Sequence, residues 1–467
     1  MSKRILDADA DTPQQEHGKQ SKKEEAKEEE GIKLADISAF MRVRVAIDVS
    51  SDLFIPSFKH PLNDLLCVRP KSESFVFHET LAKDYGWRNV EIMIDSKYQC
   101  GTLDRPDVEK LMNLAKPAVF GKGDKEVYDT NVRLAHVIEG KRLSFLRRDS
   151  ANRHFTYDQP FAHLLGWGNR FKKWCGVEPK HVELYALHLY PQGGKFDTHV
   201  DTPHAPNHVA SAIYITGSPF EGGVLEVEHM GEKDCTSSPH TVAAWYVDCP
   251  HRVLEVTRGT RIVLQFNVFS EAMEKQNDDK EDDDEQNEDD EDDDEEDDGD
   301  DNDIDFADNN IGDEKDFYLA NDMWKTRFIT TLKASLENKH HVALLLEHTY
   351  STLDHVLQPE NLKGRDRLLW DTLIAEKENV VCGLVAVART TAIKQEQKNT
   401  DYVTRLSSLP PGIESVPFID FIPGPQCQWF EVFYNPGAEH TGNEPMDGSA
   451  AYVAFVLYCA PDARKEE

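Results

Sequence analysis

The sequence predicts an α+β protein whose central part is an all-β barrel or jelly roll, and three patterns lead to this prediction. From Val182 onward, short segments rich in β-branched and aromatic residues are separated by turns rich in Gly and Pro, which is typical of barrels and jelly rolls. Before this part, apolar residues recur at helical spacing, and after it helical and strand-like segments alternate. The predicted strands read VELYALHLY, VASAIYIT, VLEVEHM, TVAAWYVD and TRIVLQFNVF.

The composition divides the chain of 467 residues into five parts. Residues 1–35 mix Lys and Glu without an aromatic residue and are predicted to be disordered, because they bury too little apolar surface to offset chain entropy. Residues 36–180 are predicted to form a mixed helical part that packs on the β core, residues 181–276. An acidic linker, residues 277–305, then leads to a C-terminal α/β region, residues 306–467, which contains segments with helical and with strand-like patterns.

Two helices are predicted before the β core. In DRPDVEKLMNLA, Asp107 and Glu109 suit the first turn electrostatically, and Leu111, Met112 and Leu114 provide an apolar face. The second candidate, FAHLLGWGNRFKKWCG, contains two glycines that interrupt the helical pattern. Both helices are expected to pack on a face of the β core.

The acidic linker carries most of the negative charge of the chain. Between Asp278 and Asp305 there are 22 Asp and Glu residues against one Lys, a net charge of −21 that leaves −13 of the total −34 for the rest of the chain. Like charges repel, so the linker is predicted to be extended. It suits either a docking tail for basic proteins or a solvated spacer, and we favour the spacer. The acidic balance disfavours direct binding to double-stranded nucleic acid.

The eight cysteines are scattered and form no CxxC pair, which is the pattern of reduced thiols and not of a disulfide framework. The N-terminal residues contain no apolar segment of the secretory type. The chain also has no apolar run of about 18 residues, the length that would span a membrane. We therefore expect a cytoplasmic or nuclear protein without a membrane partner.

Three residues have the pattern of a metal site. LYPQGGKFDTHVDTP places His199 two residues before Asp201, and WYVDCPHRVLEVTRGTR contains His251. Residues two apart on an extended strand point to the same face, and a barrel brings distant strand ends together, so the three side chains can meet one metal ion. Two histidines and one carboxylate are the ligands of non-haem Fe(II) oxygenases, which keep positions open for a 2-oxo acid and dioxygen. Zinc would fit the same ligands, but catalytic zinc sites usually keep one open position.

Two further residues are candidates for binding the 2-oxo acid. Arg261 follows His251 by ten residues, after a turn that would return it to the cavity wall. Its planar guanidinium suits a bidentate contact with a distal carboxylate. Tyr190 ends a predicted strand and can donate its O–H to the same acid. An HxD motif alone often occurs by chance, and the later His and Arg at this spacing make the iron site the preferred interpretation.

From Pro117 to Ser270 the chain resembles the prolyl 4-hydroxylase-like branch of the Fe(II)/2-oxoglutarate dioxygenases. YPQGGKFDTHVD is similar to the tyrosine, glycine pair and HxD motif of that branch, and VASAIYITGSPFEGGVLEVE is similar to its next hairpin. WYVDCPHRVLEVTRGTR is similar to the third-ligand segment of a less characterised, mostly microbial and fungal subgroup. PAVFGKGDKEVYDTNVR and EHTGNEPMDGSAAYVAFVLY are similar to the same subgroup, so the resemblance extends over most of the chain expected to be ordered.

The resemblance implies a double-stranded β-helix fold and the use of Fe(II), 2-oxoglutarate and O2, and ascorbate is the further cofactor that we consider. It implies His199, Asp201 and His251 as metal ligands and Arg261 as the 2-oxoglutarate anchor. Collagen-type prolyl hydroxylases have a Lys at the anchor position. Small-molecule oxygenases often follow the Arg with x-Ser, where this chain has Val263. Because neither subclass is matched fully, the resemblance does not identify the substrate.

The sequence therefore predicts a dioxygenase that hydroxylates a C–H bond and converts 2-oxoglutarate to succinate and CO2. We expect a protein side chain as the target, with proline as the example that the resemblance suggests, because the C-terminal region offers additional surface for a polypeptide. A small-molecule hydroxylase of the same superfamily is the alternative among enzymes. Outside enzymes, a scaffold that binds basic proteins through the acidic linker is the alternative.

Several other residues have both a structural and a functional interpretation. Asp248 is either a turn residue or a group that orients a ligand imidazole. We predict a position in the cavity wall for His188, a core position for Trp245 and a surface loop for His204 and His208. The histidines of the C-terminal region that we interpret as structural are His340, His341, His348 and His355.

Overall fold

The computed structural model describes residues 53–56, 59–67, 75–81, 86–148, 154–157, 171, 174–175, 181–270, 314–337, 341–352, 356–375, 380–392, 400–405, 407–409, 411, 413, 418–422, 441–445 and 451–461. All of these belong to one unit, Asp52–Glu467. The N-terminal part predicted to be disordered, the acidic linker and most of the second predicted helix lie outside the described residues.

The first predicted helix is confirmed. The side chain of Asp107 caps it by accepting a hydrogen bond from the backbone N–H of Lys110 at 3.1 Å, and Leu111 is fully buried. None of the described helices is long and apolar enough to cross a membrane. The described α-helices are α1 (Pro61–Cys67), α2 (Val108–Leu114), α3 (Glu314–Leu336) and α4 (Gly364–Ala375), and there are short 3₁₀ helices at Gly86–Asn89, Gly140–Arg142 and Pro359–Asn361.

The described strands form three groups along the chain. Before the β core lie β1 (Leu53–Pro56), β2 (Val76–Thr80), β3 (Glu91–Ile94), β4 (Tyr98–Thr102), β5 (Lys116–Pro117), β6 (Phe120–Lys122), β7 (Lys125–Val127), β8 (Arg133–Leu134), β9 (His136–Glu139), β10 (Leu143–Arg148) and β11 (His154–Tyr157). The β core contains β12 (His181–Tyr190), β13 (Lys195–His199), β14 (His208–Ile215), β15 (Phe220–Gly222), β16 (Leu225–His229), β17 (Glu232–Thr236), β18 (Thr241–Tyr246), β19 (His251–Val253), β20 (Val256–Gly259) and β21 (Arg261–Phe269). The C-terminal region contains β22 (His341–Thr352), β23 (Val380–Ala392), β24 (Thr400–Arg405), β25 (Phe418–Ile422), β26 (Thr441–Gly442) and β27 (Ala451–Pro461).

Two antiparallel sheets form the β core. The larger has the strand order β2-β18-β14-β21-β12-β9-β5, and the smaller has the order β17-β16-β19-β13-β8. Leu187 and Ile213 of the larger sheet share one hydrophobic cluster with Phe196 and Val227 of the smaller sheet. Two antiparallel sheets around a common core are the arrangement of a jelly roll, so the described core fits the predicted double-stranded β-helix.

The burial of the core strands explains their sequence patterns. Every residue of β14 and β21 is buried, as expected for central strands that are covered on both faces, and their sequences are almost continuously apolar. In β16, by contrast, buried residues alternate with less buried ones, which matches the alternating sequence LEVEH. All five predicted core strands are present, because a continuous apolar run and an alternation of apolar and polar residues each identify a strand from the local sequence alone.

A closed barrel with the order β1-β24-β23-β27-β22-β25 forms most of the C-terminal region. Apolar side chains of α3 and α4, such as Phe328 and Leu369, share a cluster with Val342 and Leu344 of β22. Leu62 of α1 belongs to this cluster too, and β1 pairs with both β24 and β25. The barrel therefore includes one strand and one helix that precede the β core in the chain.

Candidate metal centre

His199, Asp201 and His251 lie together beside the smaller sheet of the β core. His199 ends β13 and is the register partner of His251, which begins β19. One ligand atom of each residue lies within 4.8 Å of those of the other two, and His251 Nε2 is 3.7 Å from Asp201 Oδ1. All three residues are buried. The fold thus brings the three predicted ligands together.

Backbone carbonyl groups fix the orientation of both imidazole rings. His199 Nδ1 lies 2.9 Å from the carbonyl oxygen of Asp197, and His251 Nδ1 lies 3.0 Å from that of Cys249. A carbonyl oxygen only accepts, so each Nδ1 carries the proton and donates it. In this tautomer the lone pair is on Nε2, the nitrogen through which such an imidazole binds a metal ion.

Asp201 is held by three side chains, and two of them come from the C-terminal region. Trp245 Nε1 donates to Oδ2 at 3.2 Å, and the side-chain amide of Asn443 donates to Oδ1. The hydroxyl of Tyr452 donates to the backbone carbonyl of Asp201 at 2.7 Å. Donors to a carboxylate and to its own backbone restrict its rotation, so these contacts fix the direction in which Asp201 can bind a cation.

The segment Thr441–Pro445 runs beside the residues that follow His199. The backbone N–H of Val200 donates to Thr441 O at 3.0 Å, and the hydroxyl of Thr202 donates to Glu444 O at 2.6 Å. Tyr185 of β12 also donates to the Glu444 carboxylate at 2.8 Å. The C-terminal region therefore forms one side of the candidate site.

A cavity that is partly open to solvent lies beside these ligands. Most of its wall is apolar or aromatic, and Arg261 is the one Arg or Lys among the described lining residues. The side chains that line it are His188, Tyr190, Phe196, His199, Ile213, Leu225, Trp245, His251, Val253, Arg261, Val263, Gln265 and Asn443.

Arg261 is a buried cation whose donors are not all used. It begins β21, pairs with Tyr190 in the register of β12, and is 1% exposed. Its Nε and Nη2 have no hydrogen-bond partner among the described residues. Burial lowers the pKa of Arg261 to about 10, so the guanidinium remains charged at neutral pH. An unpaired buried charge is costly, and an anion in the cavity would satisfy it.

The local backbone makes room for this arginine. Its guanidinium carbon lies 5.6 Å above the ring of Tyr190. On another side is Gly223, which has a φ of 60°, and a Cβ at this glycine would lie 2.9 Å from Arg261 Cδ. A larger residue at Gly223 would be strained by this φ and would press on the arginine.

His188 extends the polar part of the cavity wall as a neutral imidazole. Burial, together with the nearby charge of Arg133, lowers the pKa of His188 to about 3. Arg133 Nη2 lies 3.2 Å from His188 Nδ1, and His188 Nε2 lies 2.8 Å from Gln265 Oε1. Because Arg133 can only donate, His188 accepts at Nδ1 and donates from Nε2 to Gln265.

These features fit a metal ion with a bound 2-oxo acid. Two imidazoles and one carboxylate provide the donor set of a non-haem iron site. The guanidinium in the same cavity, which has no hydrogen-bond partner at Nε and Nη2 among the described residues, provides the counter-charge for a distal carboxylate.

Comparison with known proteins agrees with this donor set. Residues 185–269 match the family model described as the 2OG-Fe(II) oxygenase superfamily. This segment is a 2OG-Fe(II) oxygenase domain. The expectation of a 2-oxoglutarate-dependent iron dioxygenase is confirmed at the level of this family, which implies Fe(II) and 2-oxoglutarate as cofactors. A search of curated proteins finds no match.

Several solved structures are similar over part of the chain. A prolyl-4-hydroxylase of Pseudomonas putida is 15% identical, with 35% of this chain and 82% of that chain covered and a TM-score of 0.26. A prolyl hydroxylase of Trichoplax adhaerens, solved with a hypoxia inducible factor peptide, is 14% identical, with 39% and 84% covered and a TM-score of 0.25. A 2OG-Fe(II) oxygenase family oxidoreductase of Burkholderia pseudomallei is 13% identical, with 47% and 96% covered and a TM-score of 0.26.

The sequence interpretation of two residues near the oxygenase domain needs correction. Asp248 does not orient His251, whose Nδ1 faces the Cys249 carbonyl. Its carboxylate is instead 3.1 Å from His348 Nδ1 in the C-terminal region. His208, predicted to be on the surface, is 3% exposed because its ring packs 5.0 Å from that of Phe269.

The residues that support the predicted ligands have no recognisable sequence pattern. Asn443 lies in EHTGNEP, which was noted only for its resemblance, and it contacts Asp201 from 242 positions away. Trp245 was predicted to be core, and it is buried but also donates to Asp201. No local pattern indicates such a contact, because it depends on how the C-terminal region packs against the oxygenase domain.

Proposed function

We propose that this protein hydroxylates an uncharged C–H group of a protein side chain, and that a prolyl ring is the first candidate. The observation that carries the proposal is the buried Arg261 guanidinium, unpaired at two nitrogens, in the cavity that His199 and His251 also line. This combination provides binding groups for a metal ion and a dicarboxylic 2-oxo acid at the same time.

Each residue has a defined role in this proposal. His199, Asp201 and His251 would hold Fe(II), and Arg261 would bind the distal carboxylate of 2-oxoglutarate, with Tyr190 beside it. When bound, Fe(II), 2-oxoglutarate and O2 supply the chemistry that converts C–H to C–OH, with one oxygen atom entering the product and the other entering succinate as CO2 leaves. The chain itself positions the substrate and excludes water through the apolar cavity wall.

The lining of the cavity favours an uncharged target. Phe196, Ile213, Leu225 and Trp245 provide apolar surface, and Arg261, the one Arg or Lys in the described lining, is assigned to the cosubstrate. A charged substrate group would therefore enter without a counter-ion, which is costly in a buried site. An aliphatic ring such as that of proline carries no such cost.

The C-terminal wall favours a polypeptide over a free metabolite. Asn443 lines the cavity, and Glu444 and Tyr185 lie next to it in the described structure. A substrate would thus contact both the oxygenase domain and the C-terminal region, which provides a longer surface than a small molecule needs. A small-molecule hydroxylase is the alternative, and the substrate screen below separates the two.

The first experiment measures succinate formation from 2-oxoglutarate with Fe(II) and with ascorbate as reductant. Wild type is compared with His199→Ala and with His78→Ala, a matched control on β2 whose side chain faces Asp234. We expect turnover in wild type and in the control and none in His199→Ala, because loss of one ligand removes the iron site. Equal turnover in all three would refute the metal assignment.

The second experiment searches for the hydroxylated target by mass spectrometry. Proline-containing peptides and a metabolite mixture are incubated separately with wild type and with His199→Ala. A gain of one oxygen atom on a peptide, absent with the variant, would support the proposal. The same gain on metabolites alone would establish the small-molecule alternative.

A further inference from the structure

A second group of two histidines and a carboxylate lies between the oxygenase domain and the C-terminal barrel. We call His229, Glu347 and His348 the inter-region cluster, and His199, Asp201 and His251 the oxygenase cluster. One ligand atom of each member lies within 4.8 Å of those of the other two. All members of the inter-region cluster are buried, with exposures of 6%, 6% and 2% in the order of the chain.

The hairpin β16–β17 positions His229. Its two turn residues, Met230 and Gly231, both have positive φ angles of 51° and 78°, as in the tight turns that join twisted antiparallel strands. His229 is therefore at the end of β16, where its ring packs 4.7 Å from that of His348 at an interplanar angle of 13°. The other members come from a strand more than a hundred residues later in the chain.

An irregularity in β22 allows the adjacent residues Glu347 and His348 both to face the inter-region cluster. Neighbouring residues of a strand normally face opposite sides, but the pairing of β22 with β27 shifts register between Leu345 and Thr349. Glu347 and His348 lie within this shift. Their backbone N–H groups donate to the carboxylate of Asp366 at 2.8 and 3.0 Å, so a residue of α4 stabilises the irregular backbone.

The nitrogen of His229 that faces Glu347 is available to a ligand. His229 Nε2 is buried and has no hydrogen-bond partner among the described residues. It lies 3.8 Å from Glu347 Oε2, which is too long for a hydrogen bond. The corresponding distance in the oxygenase cluster is 3.7 Å, between His251 Nε2 and Asp201 Oδ1. Two ligands on one zinc ion are about 3.3–3.5 Å apart, so this pair would approach by a few tenths of an ångström when zinc binds. The His229 ring, which is stacked on that of His348, would also turn so that its lone pair points at the ion.

The carboxylate of Asp248 orients the ring of His348. Both oxygens of Asp248 lie 3.1 Å from His348 Nδ1, and an imidazole that donates to a carboxylate is the usual partner arrangement of a metal-bound histidine. Lys363 donates to Asp248 at 2.9 Å, and Arg365 lies 3.4 Å from Glu347 Oε1. Each carboxylate thus has a cationic partner.

We propose that His229, Glu347 and His348 form a second metal site, which binds a divalent transition-metal ion. Two imidazoles and one carboxylate are a suitable donor set for Zn(II). Because all three ligands are buried and come from both sides of the boundary, the ion is structural and joins the oxygenase domain to the C-terminal barrel. This site is independent of the proposed hydroxylation.

The test removes the oxygenase cluster so that its metal does not obscure the result. The full-length His199→Ala/His251→Ala protein is produced with Zn(II) in the medium, dialysed, and analysed for zinc per chain. It is compared with the same protein carrying His229→Gln, and with one carrying His78→Gln as a matched control. We expect about one zinc per chain in the first and third proteins and at least about tenfold less in the second.

A second measurement guards against a folding defect. Cooperative thermal unfolding is followed for each protein with and without added Zn(II). The proteins with an intact inter-region cluster should gain about 5 °C or more with zinc, and the His229→Gln protein should gain none. If His229→Gln fails to fold, Glu347→Gln takes its place. Absence of zinc from the His199→Ala/His251→Ala protein, or equal zinc in all variants, would show that the cluster is a metal-free polar network and overturn the proposal.

Discussion

The oxygenase cluster and the inter-region cluster each contain two histidines and one carboxylate, but their surroundings differ. In the oxygenase cluster, backbone carbonyls accept from the imidazoles, and a cavity beside them contains an arginine that is unpaired at two nitrogens. In the inter-region cluster, side-chain carboxylates and cations balance each other, as in the contact of Lys363 with Asp248. We infer from this difference that an uncompensated buried charge indicates the binding site of a charged cosubstrate, whereas compensated charges indicate a structural role.

The largest expected effect tests the uncompensated charge. Arg261→Ala should weaken 2-oxoglutarate binding by about a hundredfold, because a bidentate charge-assisted contact is lost. The measurement is an anaerobic titration of the Fe(II)-loaded protein with 2-oxoglutarate. Arg258→Ala is the matched control, since Arg258 is exposed on the neighbouring β20 and contacts Glu221. Equal affinities in both variants would show that Arg261 does not bind the cosubstrate.

The next effect compares the groups that orient each cluster. Asn443→Ala should lower the Fe(II) affinity of the oxygenase cluster by about tenfold to a hundredfold, because Asp201 loses a donor. Asn443→Asp, which has the same shape but repels Asp201, should lower it more. Fe(II) affinity is measured by anaerobic titration in the absence of substrate, and unfolding is followed in parallel.

Asp248→Asn is the counterpart in the inter-region cluster. It should reduce zinc retention there and leave the Fe(II) affinity of the oxygenase cluster unchanged. Loss of Fe(II) binding in Asp248→Asn but not in Asn443→Ala would reverse our assignment of the two supporting groups.

A smaller effect concerns pH, because the cavity wall contains a buried neutral histidine. Burial lowers the pKa of His188 to about 3. The unfolded chain binds this proton near pH 6.5, so the stabilisation is present above that pH and is lost as the pH falls toward the folded value. His188 should contribute about 2 kcal/mol of lost stability at a pH of about 5.

Chemical denaturation at about pH 7 and about pH 5 measures this loss. His188→Gln should reduce the loss of stability between these two pH values by about 2 kcal/mol. An unaltered slope in His188→Gln would mean that this imidazole is not held neutral by the fold.

The smallest expected effect concerns the acidic linker, which contains no member of either cluster and lies outside the described residues. Deletion of residues 277–305 should leave 2-oxoglutarate turnover unchanged, because no ligand or anchor lies there. A pull-down with basic proteins, with and without the deletion, separates a docking tail from a solvated spacer. Loss of turnover on deletion would show that the acidic linker is needed for catalysis.

Local patterns predicted those parts of the molecule that depend on neighbouring residues. The strands of the β core followed from apolar runs, α2 from the cap Asp107, and the oxygenase cluster from HxD with a later His and Arg. The inter-region cluster was not predicted, because His229 and His348 meet only through the packing of two regions. The placement of Glu347 beside His348 further requires a shift in strand register, which no pattern in HVALLLEHTY indicates.

The pairing of β1 with β24, which lies about 350 residues later in the chain, has a consequence for synthesis. Phe54 is the register partner of Val403, so the barrel cannot close until Val403 has left the ribosome. At about 5–20 residues per second, this leaves β1 unpaired for tens of seconds. Asp201 likewise lacks two of its hydrogen-bond donors until Asn443 and Tyr452 have been synthesised. The nascent oxygenase domain therefore acquires its fully oriented ligands only after Tyr452 has been synthesised.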